Sequence, residues 1–311
     1  MSNPRLVCFG NLTVDDVVLP DGTERPGCTG GDALYAALAA RLFEPSAEMV
    51  APVGTDLPNR MRSEILGAGF SLDGLTPRDR PTLHNRVAYR ADGGRTWTLY
   101  SGQADFHILS PTPENIPERY RSADAFLILA MTLEAQEGLV PALRRMGAGL
   151  IALDPQEDYI LGAESRVQDL VAQVDIFMPS EEEVRRLLGH DDFFAAAKHF
   201  AALGPKIVVV KRGADGCLVY ERDADRTTEV PAFPVAEVLD TTGAGDSFCG
   251  AFMASLILSP GDVLRAARAG AVAASYTVAG FGTEALARAE PGDAARRLAA
   301  FPTEVFAEVR S

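Results

Sequence analysis

The chain has 311 residues, long for one simple core and normal for a single large α/β domain carrying a small appendage. Hydrophobic residues make up 47% and charged residues 23%, which excludes a disordered or fibrous protein. A formal charge of −14 argues against nucleic acid and anionic membrane as partners, because both reward a basic face.

In chain order, strands are predicted over 5–10, 48–53, 125–130, 149–154, 174–178 and 206–211. Helices are predicted over 31–43, 58–66, 134–146, 181–188 and 193–203. Runs such as Leu150-Ile151-Ala152-Leu153 and Ile207-Val208-Val209-Val210 are apolar on both faces, as in a parallel sheet covered on each side. The alternation of β and α predicts a three-layer α/β/α sandwich of Rossmann-like type with a mostly parallel central sheet. Two stretches interrupt it. A strand-like run near 13–20 follows the first strand directly, and 83–89 and 96–100 flank Ala91-Asp92-Gly93-Gly94, a hairpin turn. Strands without helices point to a small β-sheet lid over approximately 13–20 and 83–101, inserted in one domain spanning 1–311. Beyond the strands expected at 217–220 and 229–233, the C-terminal third is helical and Ala-rich.

Cys8, Cys28, Cys217 and Cys249 are scattered, without the spacing of a zinc site or a disulfide framework. The N-terminus lacks a signal-peptide core, and no apolar run reaches membrane length. The expected compartment is the cytoplasm, with a small-molecule partner, no nucleic acid and no membrane.

The chemistry concentrates in Asp240-Thr241-Thr242-Gly243-Ala244-Gly245-Asp246-Ser247-Phe248, which opens an apolar helix. Small residues let the backbone approach a ligand, and the first N–H groups of a helix, at its positive end, form an anion hole. Asp246 lies in that first turn, placed to take a proton from an attacking hydroxyl. Proton removal can come late in phosphoryl transfer, so a weak base suffices. The bland alternative is a Gly-rich turn before a buried helix. A dehydrogenase would need G-x-G-x-x-G after an early strand, and a P-loop NTPase would need a Gly-Lys pair. The chain has neither.

The 240–248 segment resembles the signature of ribokinase-like (PfkB) carbohydrate kinases. The resemblance implies ATP as donor, Mg²⁺, a hydroxyl of a sugar or polyol as acceptor, Asp246 as catalytic base, and the backbone amides of Gly243, Ala244, Gly245 and Asp246 as anion hole. Thr242 falls on the nucleotide side. Further segments resemble the family in the expected order. Asp15 closes the first-strand motif Gly10-Asn11-Leu12-Thr13-Val14-Asp15, and the extended chain turns its neighbour Asp16 to the other face. Gly30 and Gly31 match a second substrate motif, continued here by Asp32 and Tyr35, where members often carry Lys and Asn. Glu134 matches a substrate-contacting Glu. Glu183 matches a Glu that organises Mg²⁺ through water, although Ser180-x-x-Glu183 also reads as a capping box. Lys211, Gly213 and Gly216 match a turn beside the ATP phosphates and ribose, and Gly280 a loop near adenine. Between that loop and Asp240, relatives hold a monovalent cation, which points to K⁺. Lids that pair between chains imply a homodimer. A nucleoside kinase of the same family and a non-catalytic nucleotide or sugar sensor on the same fold stand as alternatives. The low aromatic content, 7%, inclines the reading to sugars or polyols.

Overall fold

The computed structural model of the protein describes residues 3–90 and 95–301. In chain order its elements are β1 (Leu6–Phe9), β2 (Thr13–Val18), β3 (Glu24–Gly30), α1 (Asp32–Arg41), β4 (Glu48–Val50), β5 (Val53–Gly54) and α2 (Asn59–Gly67). There follow β6 (Pro77–Arg78), β7 (Leu83–Tyr89), β8 (Arg95–Leu99), α3 (Gln103–Leu109), β9 (Ala125–Ile128), α4 (Leu133–Arg145), β10 (Leu150–Leu153), α5 (Glu164–Val171) and β11 (Ile176–Phe177). The chain continues through α6 (Glu181–Leu188), α7 (Phe193–Leu203), β12 (Ile207–Lys211), β13 (Cys217–Glu221) and β14 (Arg226–Val230) to α8 (Ala244–Leu258), α9 (Val263–Thr277), α10 (Glu284–Ala287) and α11 (Pro291–Ala299).

The central sheet has eight strands in the order β14-β13-β12-β11-β10-β9-β1-β4. All pairs from β4 to β12 are parallel, and β13 and β14 add an antiparallel edge. Successive strand residues feed opposite cores. Leu6, Cys8, Ala125 and Leu127 join one cluster with α1, α8 and α9, whereas Val7, Phe9, Phe126 and Ile128 join another with α4, α5 and α7. This is the three-layer sandwich that the doubly apolar strands predict. Helix α1 packs along α8, and Gly250 makes the approach possible: a Cβ there would lie 2.0 Å from the Ala36 carbonyl oxygen.

A separate four-stranded sheet, ordered β3-β2-β7-β8, forms the lid. Its period-two burial is clean. Thr13, Asp15 and Val17 on β2 and Leu83, Asn85 and Val87 on β7 are buried, while their alternates are half-exposed. The sequence reading did not anticipate β3, which contains Pro26 and Gly27 and sits at the sheet edge, where Pro is tolerated. The strand expected over 48–53 divides into β4 and β5 at Pro52, whose missing N–H interrupts the ladder. The strand expected over 229–233 instead covers Arg226–Val230 and stops at Pro231. The turn expected at 91–94 lies outside the described residues. Among those described, no helix is long and apolar enough to cross a membrane.

Candidate active site

The carboxyl ends of β1, β9, β10, β11 and β12 open into a cavity of about 630 Å³, roofed by the lid and floored by the start of α8. Ligands collect at that end of a parallel sheet. The cavity brings together Asp15, Gly31, Tyr35, Glu183, Lys211, Thr242, Gly245 and Asp246 of the residues singled out from sequence.

At the lid end, Asp15 is 4% exposed and accepts a hydrogen bond from Asn85 Nδ2 at 3.0 Å. Burial pushes its carboxyl up to about 6, against the opposing effect of Asn85. Asp16 turns the other way, toward His84 Nε2 at 2.9 Å, as strand alternation requires. Gly30 lies against this carboxylate, since a Cβ on it would fall 2.1 Å from Asp15 Oδ2. Gly31 has φ +105°, and a Cβ would meet the Asn11 carbonyl oxygen at 2.4 Å, so only glycine lets α1 start this close to β1.

Four buried polar atoms in this wall have no partner among the described residues: Asn11 Oδ1, Asp32 Oδ2, Tyr35 Oη and Asn85 Oδ1. The Asn assignments are fixed by their amide nitrogens, which donate to the Leu109 carbonyl at 2.8 Å and to Asp15. Asn11 Oδ1 and Asn85 Oδ1 can only accept, so they call for hydroxyl donors, while Tyr35 Oη can donate or accept. Burial raises the Asp32 carboxyl well above its usual range, and the charge of Asp246 adds to the rise.

At the other end, Gly243 caps α8 with φ +75°, and a Cβ there would lie 2.3 Å from the Tyr35 ring. Of the four amides assigned to the anion hole, that of Ala244 already donates to the Thr241 carbonyl at 3.3 Å, while Gly245 and Asp246 line the cavity. The Lys211 ammonium is held between both oxygens of Asp154 at 2.5 and 2.6 Å. Burial alone would lower the Lys211 pKa, but the Asp154 carboxylate outweighs it and keeps the ammonium charged. Lys211 is therefore an internally paired charge, 3.5 Å from where a Gly245 Cβ would lie. Glu183 closes a capping box with Ser180, its carboxylate accepting from the Ser180 N–H at 2.5 Å, and it also lines the cavity. Burial, with Asp154 nearby, raises the Glu183 carboxyl.

Seven carboxylates face the cavity against one ammonium, so an anionic nucleotide would need an accompanying cation there. No group of three metal-ligating side chains occurs among the described residues. Mg²⁺ takes one or two carboxylates and completes its shell with water and phosphate oxygens. Asp240, considered for a monovalent cation, accepts from the Tyr89 hydroxyl, from Thr242 N at 2.8 Å and from Gly282 N at 3.4 Å.

Some assigned residues stand outside the cavity wall. Glu134 is exposed and paired with Arg166 at 3.3 Å, because the first turn of α4 faces α5. Gly213 and Gly216 form the β12–β13 turn, and Gly280 packs on Ala285. Sequence reasoning passed over Asp154, Asn85, Trp97 and Phe106, all of which face the cavity. Asp154 carried one legible signal, its place just past a buried parallel strand.

Residues 10–289 match the family model described as pfkB family carbohydrate kinase, and the chain belongs to that family. It is accordingly a phosphotransferase with a hydroxyl acceptor. The cytidine kinase of Thermococcus kodakarensis is 31% identical over 255 residues, covering 80% of this chain and 87% of the relative. Fructokinase-1 of Zea mays is 29% identical over 274 residues, covering 82% and 84%. Among solved structures, ribokinase from Giardia lamblia aligns with a TM-score of 0.80 at 20% identity over 97% of this chain and all of that one. A Burkholderia thailandensis nucleoside kinase in complex with inosine gives 0.80 at 17% identity, over 95% and 97%. These two share the fold.

Proposed function

We propose that the protein transfers the γ-phosphoryl group of ATP to a hydroxyl of a small polyhydroxylated acceptor, with Asp246 as general base. The observation that carries the reading is the set of unpartnered buried polar atoms in the wall of the cavity that Asp246 also lines. An apolar or purely anionic ligand would leave the two Asn oxygens unpaired, at about 1–3 kcal/mol each. A polyol satisfies them. Asp15 and Asn85 hold acceptor hydroxyls, and Tyr35 and Asn11 complete the grip. The Asp246 carboxylate takes the proton of the attacking hydroxyl as its oxygen bonds to phosphorus and the bond to ADP breaks. The α8 N-terminus, through Gly245, Asp246 and the Gly243 turn, holds the developing charge. Mg²⁺, when bound, would supply neutralisation of phosphate charge, and Glu183 and Asp154 are the residues that would hold it through water. Lys211, Gly213, Gly216, Thr242 and Gly280 border the nucleotide side, and K⁺ remains assigned to the neighbourhood of Asp240.

A nucleoside acceptor is favoured by one further observation. Val87, Trp97 and Phe106 form an apolar patch on the cavity wall, suited to a base attached to the sugar. The half-exposed outer face of the lid, with Tyr100 53% exposed beside it, supports a homodimer.

ADP release from Mg·ATP against sugars, polyols and nucleosides tests the proposal, with Asp246→Asn in parallel and K⁺ exchanged for Na⁺. Turnover dependent on one acceptor class, lost by a factor of about 10³ or more in the variant, is the expected result. An Asp246→Asn variant with undiminished kcat would overturn the assignment of the base.

A further inference from the structure

Strand β7 carries three inward residues at every second position. Asn85 bonds Asp15 at the acceptor end, Val87 lines the cavity, and Tyr89 reaches the turn that leads into α8. The Tyr89 hydroxyl donates to the Asp240 carboxylate, accepts from the Thr241 N–H at 3.1 Å, and lies 3.1 Å from Thr242 Oγ1. A phenol has one donor and two acceptor positions, and this arrangement uses all three. The partners are more than 150 residues away in sequence, since Tyr89 and Asp240 are 151 apart and Tyr89 and Thr242 are 153 apart. Asp240 in turn fixes the Thr242 N–H and, more weakly, Gly282 N, so the turn before Gly243 is organised around the carboxylate that the lid tyrosine holds.

We infer that Tyr89 is a positioning residue that couples lid closure to the ordering of the phosphoryl-binding turn. The inference rests on the kinase reading of this site. A rigid strand that ends on the Asp240–Thr242 turn transmits any movement of that turn to Asn85 and Val87. Nucleotide bound at the start of α8 then draws the lid over the acceptor, and acceptor under the lid orders the anion hole. By linkage the two effects are equal in free energy. Closure confined to the loaded state also limits transfer to water.

Trp97, the only tryptophan of the chain, sits opposite Val87 on β8 and so reports on the lid. The test titrates Mg·AMP-PNP, without acceptor, into the full chain and into Tyr89→Phe, following heat and Trp97 emission together. In the wild type both signals are expected to saturate at the same concentration. Tyr89→Phe is expected to keep the binding heat with Kd within about threefold, while the emission change falls at least fivefold. This separation is one that a merely destabilised fold would not produce. Hydrogen exchange on the wild type supplies a measurement without substitution: amides of 83–89 should slow when Mg·AMP-PNP binds. Heat with an unchanged emission and unchanged exchange in the wild type, or a full emission response in Tyr89→Phe, would refute the coupling and leave the kinase reading intact. No binding heat in the wild type would instead sink the kinase reading, and the coupling with it.

Discussion

Asp15, proposed to hold an acceptor hydroxyl, carries a cost to the fold. Burial raises its carboxyl from 3.8 to about 6, so the folded state holds the proton more tightly than the unfolded chain does. Folded stability therefore falls as pH rises between these values, by on the order of 3 kcal/mol in total, and stays reduced above them. Asp15→Asn removes that cost while still accepting the Asn85 bond. Its melting temperature should exceed that of the wild type at pH 8, the gap shrinking toward zero near pH 4, and its acceptor KM should rise at least tenfold. In the wild type, kcat/KM for the acceptor should fall below pH about 6, where Asp15 gains a proton. A variant less stable than the wild type at pH 8 would show that the hydrogen bonds of the carboxylate outweigh its burial. That Asp15 and Asp16 turn to opposite faces was legible because strand alternation is a local property. The Tyr89–Asp240 contact was not, because only the tertiary fold joins residues 151 apart. The place of Lys211 at the end of β12 was legible but not its pairing with Asp154, which depends on β10 and β12 ending together on either side of β11.

At the scale of elements, strongly patterned segments read true. Helices α6 and α7 and strand β7 fall on the residues that the periodicity indicated, because each has one apolar face or a clear capping residue. β3 escaped because a strand that includes Pro and Gly is supported by its neighbour β2 rather than by its own propensity. The α1–α8 pair has a further consequence. The two helices carry Tyr35 and Asp246 on facing surfaces, and the Gly250–Ala36 approach sets their spacing. Gly250→Ala should push them apart, with overpacking of about 1–3 kcal/mol seen as a lower denaturation midpoint. The displaced α8 N-terminus should lower kcat at least tenfold even where the variant stays fully folded. A variant with the stability loss and unchanged kcat would show that the start of α8 is set by its own turn and not by the helix pair.

For the whole molecule, charge runs against the nucleotide. A net charge of −14 and the ionised carboxylates among the seven acidic side chains around the cavity repel Mg·ATP, which itself remains anionic. Lys211 offers little long-range attraction, because Asp154 holds it at contact. Repulsion of this kind slows encounter, and salt screens it over a Debye length of about 10 Å at 0.1 M. The kcat/KM for Mg·ATP should therefore rise as tetramethylammonium chloride is raised from about 20 to 200 mM, the reverse of an enzyme with a basic nucleotide funnel. The kcat/KM for an uncharged acceptor, measured at saturating Mg·ATP, should stay flat over the same range and separates screening from any general effect of salt on the fold. A fall for Mg·ATP with a flat acceptor response would mean that local amides and Mg²⁺ at the α8 turn present a net positive field that the total charge conceals.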